Sequence, residues 1–150
     1  WIAGQVPLLI EIKDQDGNMG PAVGPLEAAV AEALSPYRGE VAVMSFNPNS
    51  VVAFGNIRAD IPLGLVTDRF EPDDWPSLSA ERRGYLAQIS DFGTSGVGFI
   101  SHNQTQLTDP PVSALKAQGV PVLCWTVKSP DEERRARRIA DNITFEGYLP

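Results

Sequence analysis

The chain has few of the residues that staple or power a small protein. Cys124 is the only cysteine in 150 residues, so no internal disulfide can form, and its apolar surroundings read as core packing. A lone thiol leaves cytoplasm and periplasm both open, with the cytoplasm the expected compartment. His102 is the only histidine; in a loop beside Asn103 it reads as a surface residue and is given no acid or base role. No run approaches the roughly 18 uninterrupted apolar residues of a spanning helix, and no signal peptide opens the chain. No Gly-rich phosphate fingerprint follows any strand, which argues against dinucleotide binding. Positive charge is scarce too: 12 Lys and Arg against 19 Asp and Glu give a net charge of -7. That balance argues against nucleic acid as a partner and fits a site that a cation completes.

What is present is enough for a core. With 43% hydrophobic residues, the chain reads as one domain or part of one and needs no staple. It opens on Trp1 rather than Met, and residues 6–12 already read as a core strand, so the chain is expected to begin inside a domain.

The stretch Pro7-Leu8-Leu9-Ile10-Glu11-Ile12-Lys13-Asp14 drives two opposite charges into an apolar run. A strand alternates its side chains, so Leu8, Ile10 and Ile12 share one face while Leu9, Glu11 and Lys13 share the other. Such charges persist inside a protein only when paired, solvated, or bound to a metal or an anion. An edge strand with a wet outer face satisfies the same pattern.

Residues 14–24 have loop composition, and Gly24-Pro25 opens a helix in which Leu26, Ala29, Val30, Ala33 and Leu34 recur at helical spacing. Residues 41–46 form a second strand, stopped by Asn47-Pro48, which caps a helix to about residue 56. A third strand spans 61–66, followed by a long polar loop over 67–76 that contains Phe70 and Trp75. Ser77 or Ser79 caps a helix to about residue 90. The fourth strand is expected over 97–100, with Ser101, His102 and Asn103 beyond its end, and a helix from Asp109-Pro110-Pro111 to Gly119 follows. Residues 120–127 make the fifth strand. Ser129-Pro130-Asp131-Glu132 is a capping box, and in its helix Asp131 faces Arg135 and Glu133 faces Arg137, so the Arg134–138 run reads as a paired wet surface. A short strand near 142–144 closes the chain.

This alternation implies parallel strands and an α/β fold, either an open sheet or a closed barrel. Polar residues gather at the strand ends: Glu11 and Lys13, Ser45 and Asn47, Thr67 and Asp68, residues 101–103, then Trp125 and Lys128. A site assembled from many strand ends is what a (β/α)₈ barrel provides, and a chain this long supplies about five or six of the eight units.

With those residues in order (PLLIEIK, the Ser-Phe of VAVMSFNP, GVPVLCWTVK and a short closing segment), the chain resembles the C-terminal part of a glycerophosphodiester phosphodiesterase over nearly all of residues 6–150. The resemblance implies the C-terminal portion of one (β/α)₈ TIM barrel of the PLC-like phosphodiesterase type, with the N-terminal strands missing. It implies metal-dependent hydrolysis of a glycerophosphodiester to glycerol 3-phosphate and an alcohol. Glu11 would be the metal-binding glutamate, taking Ca²⁺ or Mg²⁺, and Lys13 the catalytic lysine facing the phosphate. Trp125 would pack against the glycerol end, and Ser45 and Phe46 would line the floor, with Glu11, Lys13, Ser45 and Trp125 meeting at the barrel mouth.

The family's His-Arg-Gly opening, its other metal carboxylates and its second catalytic histidine are absent, and are expected upstream of Trp1. Lys128 stands where an Asn is usual, and the close ADNITFEGYLP departs from the commoner Thr-Asp-x-Pro. Residues 1–150 are therefore expected to be inactive alone, and to self-associate or to need the N-terminal half of the same barrel. Two other readings stay open: a non-catalytic barrel relative that binds a phosphorylated small molecule, and an unrelated α/β sugar-phosphate enzyme.

Overall fold

The computed structural model describes residues 2–15 and 17–150. Trp1, on which the reading of the chain's start rests, and Asp16, inside the 14–24 loop, lie outside the described residues. Strands and helices alternate from the first element to the last, and the chain packs as two compact units.

The first unit runs to Leu65 and takes in Asp91–Val97. In it β1 (Leu8–Glu11) pairs parallel with β2 (Val41–Ser45), and β2 pairs parallel with β3 (Leu63–Thr67). Two helices make the crossovers: α1 (Pro25–Leu34) and α2 (Pro48–Ile57). Each starts on a proline, where a missing N–H costs no helical bond. Gly24 precedes α1 at φ +126, and its N–H donates to Glu27 Oε2 at 2.6 Å. Glu27 is only 2% exposed, and its other oxygen accepts Ser50 Oγ of α2 at 2.5 Å, so one buried carboxylate ties the two helices together. Asn47 caps α2 by accepting from Asn49 N at 3.0 Å.

The register decides which side chains share a face. Ile10, Val43 and Leu63 stand in one row, and Glu11, Met44 and Gly64 in the next. A Cβ on Gly55 of α2 would meet Leu63 Cδ1 at 2.8 Å, so the Leu63 row lies beneath the helices and the Glu11 row faces the other way. β1 is shorter than expected: Val6 is 54% exposed and stands outside the ladder.

The second unit comprises Val66–Ser90 and Gly98–Pro150. Here β4 (Phe99–Asn103), β5 (Val122–Val127) and β6 (Asn142–Phe145) run parallel, connected through α4 (Pro110–Ala117) and α5 (Pro130–Ala136), while α3 (Ala80–Ala87) precedes them. Ser79, not Ser77, caps α3, accepting from Arg82 N at 3.1 Å.

Three expectations are corrected in this unit. β4 does not stop at residue 100, because its pairing with β5 continues to Asn103 opposite Trp125 and draws Ser101 and His102 into the ladder. α3 ends at Ala87 rather than near 90, since Ile89 turns left-handed at φ +52 and donates its N–H to Leu86 O. In α5, Asp131 takes Arg134 one turn on and not Arg135, while the Glu133–Arg137 pair forms as expected at 2.7 Å.

Candidate functional site

In the first unit Glu11 ends β1 on the sheet face turned away from α2, and Lys13 lies two residues beyond. Lys13 Nζ donates to Glu11 Oε1 at 2.8 Å, with the Glu11 side chain 21% exposed and that of Lys13 73% exposed. The structure therefore brings these two predicted site residues together as an ion pair. An exposed pair of this kind contributes at most about 1 kcal/mol, so either partner is free to exchange it for a ligand.

Ser45 does not join them on that face. Its row is that of Leu65, one residue out of step with Glu11 and Met44. It is 1% exposed, and its Oγ donates to Ile12 O at 2.7 Å. The expectation that Ser45 opens toward the same space as Glu11 is thus corrected: the register places it on the helix side, fully engaged. Phe46 is half-buried just past the end of β2.

In the second unit Trp125 and Asn103 stand opposite each other on one face of β4 and β5, with Ser101 and Leu123 in the next row of that face. Trp125 Nε1 donates to Ser101 O at 3.0 Å. Ser101 Oγ is buried and finds no partner among the described residues. The opposite face carries Ile100, His102, Val122 and Cys124, all at most 2% exposed. Burial pushes the Cys124 thiol up to about 11, which keeps it protonated and supports the core-packing reading.

His102 is no surface residue. It is 2% exposed, its Nδ1 lies 2.7 Å from Thr67 Oγ1, and burial lowers its pKa to about 4, so the ring is neutral at pH 7. The strand runs on past the apolar stretch that marks it in sequence, and the ring is carried inside with it.

Sequence reasoning also missed a charged cluster after β3. Asp68 is 5% exposed and accepts Arg69 N at 2.7 Å and Trp75 Nε1 at 3.3 Å. The Arg69 guanidinium forks onto Asp109 at 2.7 and 2.6 Å, which holds that carboxyl below its ordinary range. Phe70 packs on Trp75 with centroids 5.0 Å apart. The length of the 67–76 loop and the place of Asp68 at a strand end were the available signals, because the Arg69–Asp109 pairing spans 40 positions.

As for metal, Glu11 is a hard-oxygen donor of the type Ca²⁺ and Mg²⁺ take. A single carboxylate is not a divalent site, and among the described residues no group of three His, Cys, Asp or Glu could hold an ion. Glu11 fits as one ligand of a set, not as the set. No helix of the described residues is long and apolar enough to cross a membrane.

The family model for the glycerophosphoryl diester phosphodiesterase family matches residues 3–141. No curated protein matches the chain. Among solved structures, one named as a glycerophosphoryl diester phosphodiesterase from Agrobacterium tumefaciens is 17% identical, with a TM-score of 0.68 over 91% of this chain and 52% of its own. Another so named, from Silicibacter pomeroyi, is 20% identical, with a TM-score of 0.64 over 80% of this chain and 39% of its own. A phosphodiesterase from Oleispira antarctica, solved with the product sn-glycerol-3-phosphate, is 19% identical, with a TM-score of 0.60 over 79% and 44%. The likeness shows the fold: α/β, part of a parallel (β/α)₈ barrel. The chain spans about half the length of these structures or less.

Proposed function

The chain belongs to the glycerophosphoryl diester phosphodiesterase family, and we propose that the protein it forms hydrolyses glycerophosphodiesters to glycerol 3-phosphate and an alcohol. The observation that carries this reading is the Glu11–Lys13 pair, 2.8 Å apart at the C-terminal end of β1, on the face away from the helices, within the matched segment. Strand C-termini are where barrels of this type carry their chemistry.

In this proposal Lys13 presents its ammonium to the phosphoryl oxygens and offsets the negative charge that grows there as the ester bond breaks. Glu11 contributes one oxygen ligand to a Ca²⁺ or Mg²⁺ site whose other ligands come from outside the residues described. The metal supplies further charge stabilisation on the phosphoryl group when bound. Trp125, on the face of β5 that it shares with Leu123, would offer an apolar wall to the glycerol carbons. Phe46 keeps a place in the wall or floor of the site, while Ser45 acts from behind it. The proposal places residues 1–150 in the C-terminal portion of one such barrel, in the cytoplasm or periplasm, with the remaining strands completing it.

The test is release of glycerol 3-phosphate by the full-length protein, with Ca²⁺ or Mg²⁺ added, against the same protein carrying Lys13→Met. Hydrolysis that drops in the variant supports the assignment. Binding of a phosphorylated small molecule without turnover in either protein favours the non-catalytic reading.

A further inference from the structure

We infer that Ser45, Asn47 and Asp14 form a clamp that sets the position of Lys13, making them positioning residues for the reaction proposed above. The inference rests on that reading of Lys13. None of the three can be assigned this work from its residue type, and Ser45 is moved by it from a substrate contact to a support.

The clamp grips the backbone on both sides of Lys13. Ile12 N–H donates to Met44 O at 2.8 Å, and Ile12 O accepts Ser45 Oγ at 2.7 Å, so both polar groups of the preceding residue are fixed from β2. Asn47 N–H donates to Ser45 Oγ at 3.1 Å, which orients that hydroxyl. On the following side, Asn47 Nδ2 donates to Asp14 Oδ1 at 2.7 Å and to Gly20 O at 2.9 Å. The other Asp14 oxygen accepts Met19 N–H at 3.1 Å. Gln15 Nε2 closes on Lys13 O at 2.5 Å. Residues 12 and 14 are thus held while the side chain between them stays 73% exposed.

Ser45 and Asn47 are 1% and 0% exposed, so neither can touch a substrate, and any part they play must pass through what they hold. A long, flexible lysine side chain reaches its target from wherever its backbone stands, so an ammonium that must meet a phosphoryl oxygen gains from a backbone that does not wander. Asn47 divides its work between two atoms. Its Oδ1 caps α2 through Asn49 N–H, and its Nδ2 serves the clamp.

That division allows a clean test. Asn47→Asp keeps an acceptor for the α2 cap but removes the donor and sets a carboxylate against Asp14. In the full-length protein this variant is expected to lose about tenfold or more in kcat with KM moving far less, while the buried, unpaired carboxylate also lowers the thermal midpoint. Adding Asp14→Asn to Asn47→Asp restores a donor–acceptor pair in the reverse sense and should recover most of the loss. On a Lys13→Met background, Asn47→Asp should cost nothing further, because the residue it acts through is gone. Ser45→Ala, which leaves the cap untouched, should lower kcat in the same direction and serves if Asn47→Asp does not fold. Wild-type kcat in both Asn47→Asp and Ser45→Ala, or equal losses with and without Lys13, would overturn the clamp. Unchanged turnover in Lys13→Met would instead overturn the function beneath it, and the clamp's role with it.

Discussion

Lys13 and Glu11 are paired with each other but have different proposed roles, so their substitutions should separate. Glu11→Gln removes the charge while keeping the size, so Ca²⁺ or Mg²⁺ affinity of the full-length protein, read by titration calorimetry, should fall more than about tenfold. Lys13→Met should leave that affinity roughly unchanged and lower kcat about a hundredfold. Equal loss of metal in both would merge the two roles. His102 makes a pH prediction. Its folded pKa of about 4 lies below the ordinary 6.5, so between those values the unfolded chain binds the extra proton. Stability is then full above about pH 6.5 and declines by roughly 3 kcal/mol as pH falls toward 4. Urea unfolding at pH 7 and pH 4.5 checks this, and His102→Gln should flatten the difference. At this scale the residue types were legible and their facing was not. Glu11 and Lys13 could be paired from spacing alone, whereas the face of Ser45 depends on which residue of β2 meets Glu11, and a shift of one position inverts it.

Elements whose signals are local were the easiest to read. Ser129 caps α5 as its sequence dictates, its Oγ accepting Glu132 N–H at 3.3 Å, but the expected box closes one residue early: Glu132 Oε2 accepts Lys128 N–H at 2.6 Å rather than that of Ser129. Ser129→Ala should therefore cost about 1 kcal/mol by urea unfolding. Glu27→Ala should cost more, about 2–4 kcal/mol, because it strands the Ser50 hydroxyl and the Gly24 N–H in a buried site. A Glu27 cost no larger than that of Ser129 would mean that α1 and α2 are tied by apolar packing instead. β4 was the least legible element. Ser101 and His102 look like a loop in sequence, yet the edge offered by Leu123 and Cys124 and the hydroxyl of Thr67 make a buried strand of them. Partners 22 and 35 positions away left no local mark.

For the whole molecule, the order of strands and helices was readable throughout, because each apolar run is bounded by Pro, Gly or Asn at a turn. Completeness of the site was not, since one carboxylate at residue 11 does not say where further ligands of the proposed metal site would come from. Among those residues β1 pairs only with β2, and β6 only with β5. Leu9 and Phe145 on these two strands are 39% and 42% exposed. Unpaired strand edges invite pairing with another chain, so residues 1–150 on their own should elute in size-exclusion chromatography above the 16.2 kDa of one chain. A monomer at all concentrations would show that the edges are protected in some other way. The central claim is that this chain carries working parts of a glycerophosphodiester phosphodiesterase site but not the whole of it. The most direct measurement is the rate of glycerol 3-phosphate release, with saturating Ca²⁺ or Mg²⁺, from three samples: the full-length protein, its Lys13→Met variant, and residues 1–150. The account predicts turnover in the first, a drop of about a hundredfold in the second, and none in the third. Equal turnover in all three would contradict it.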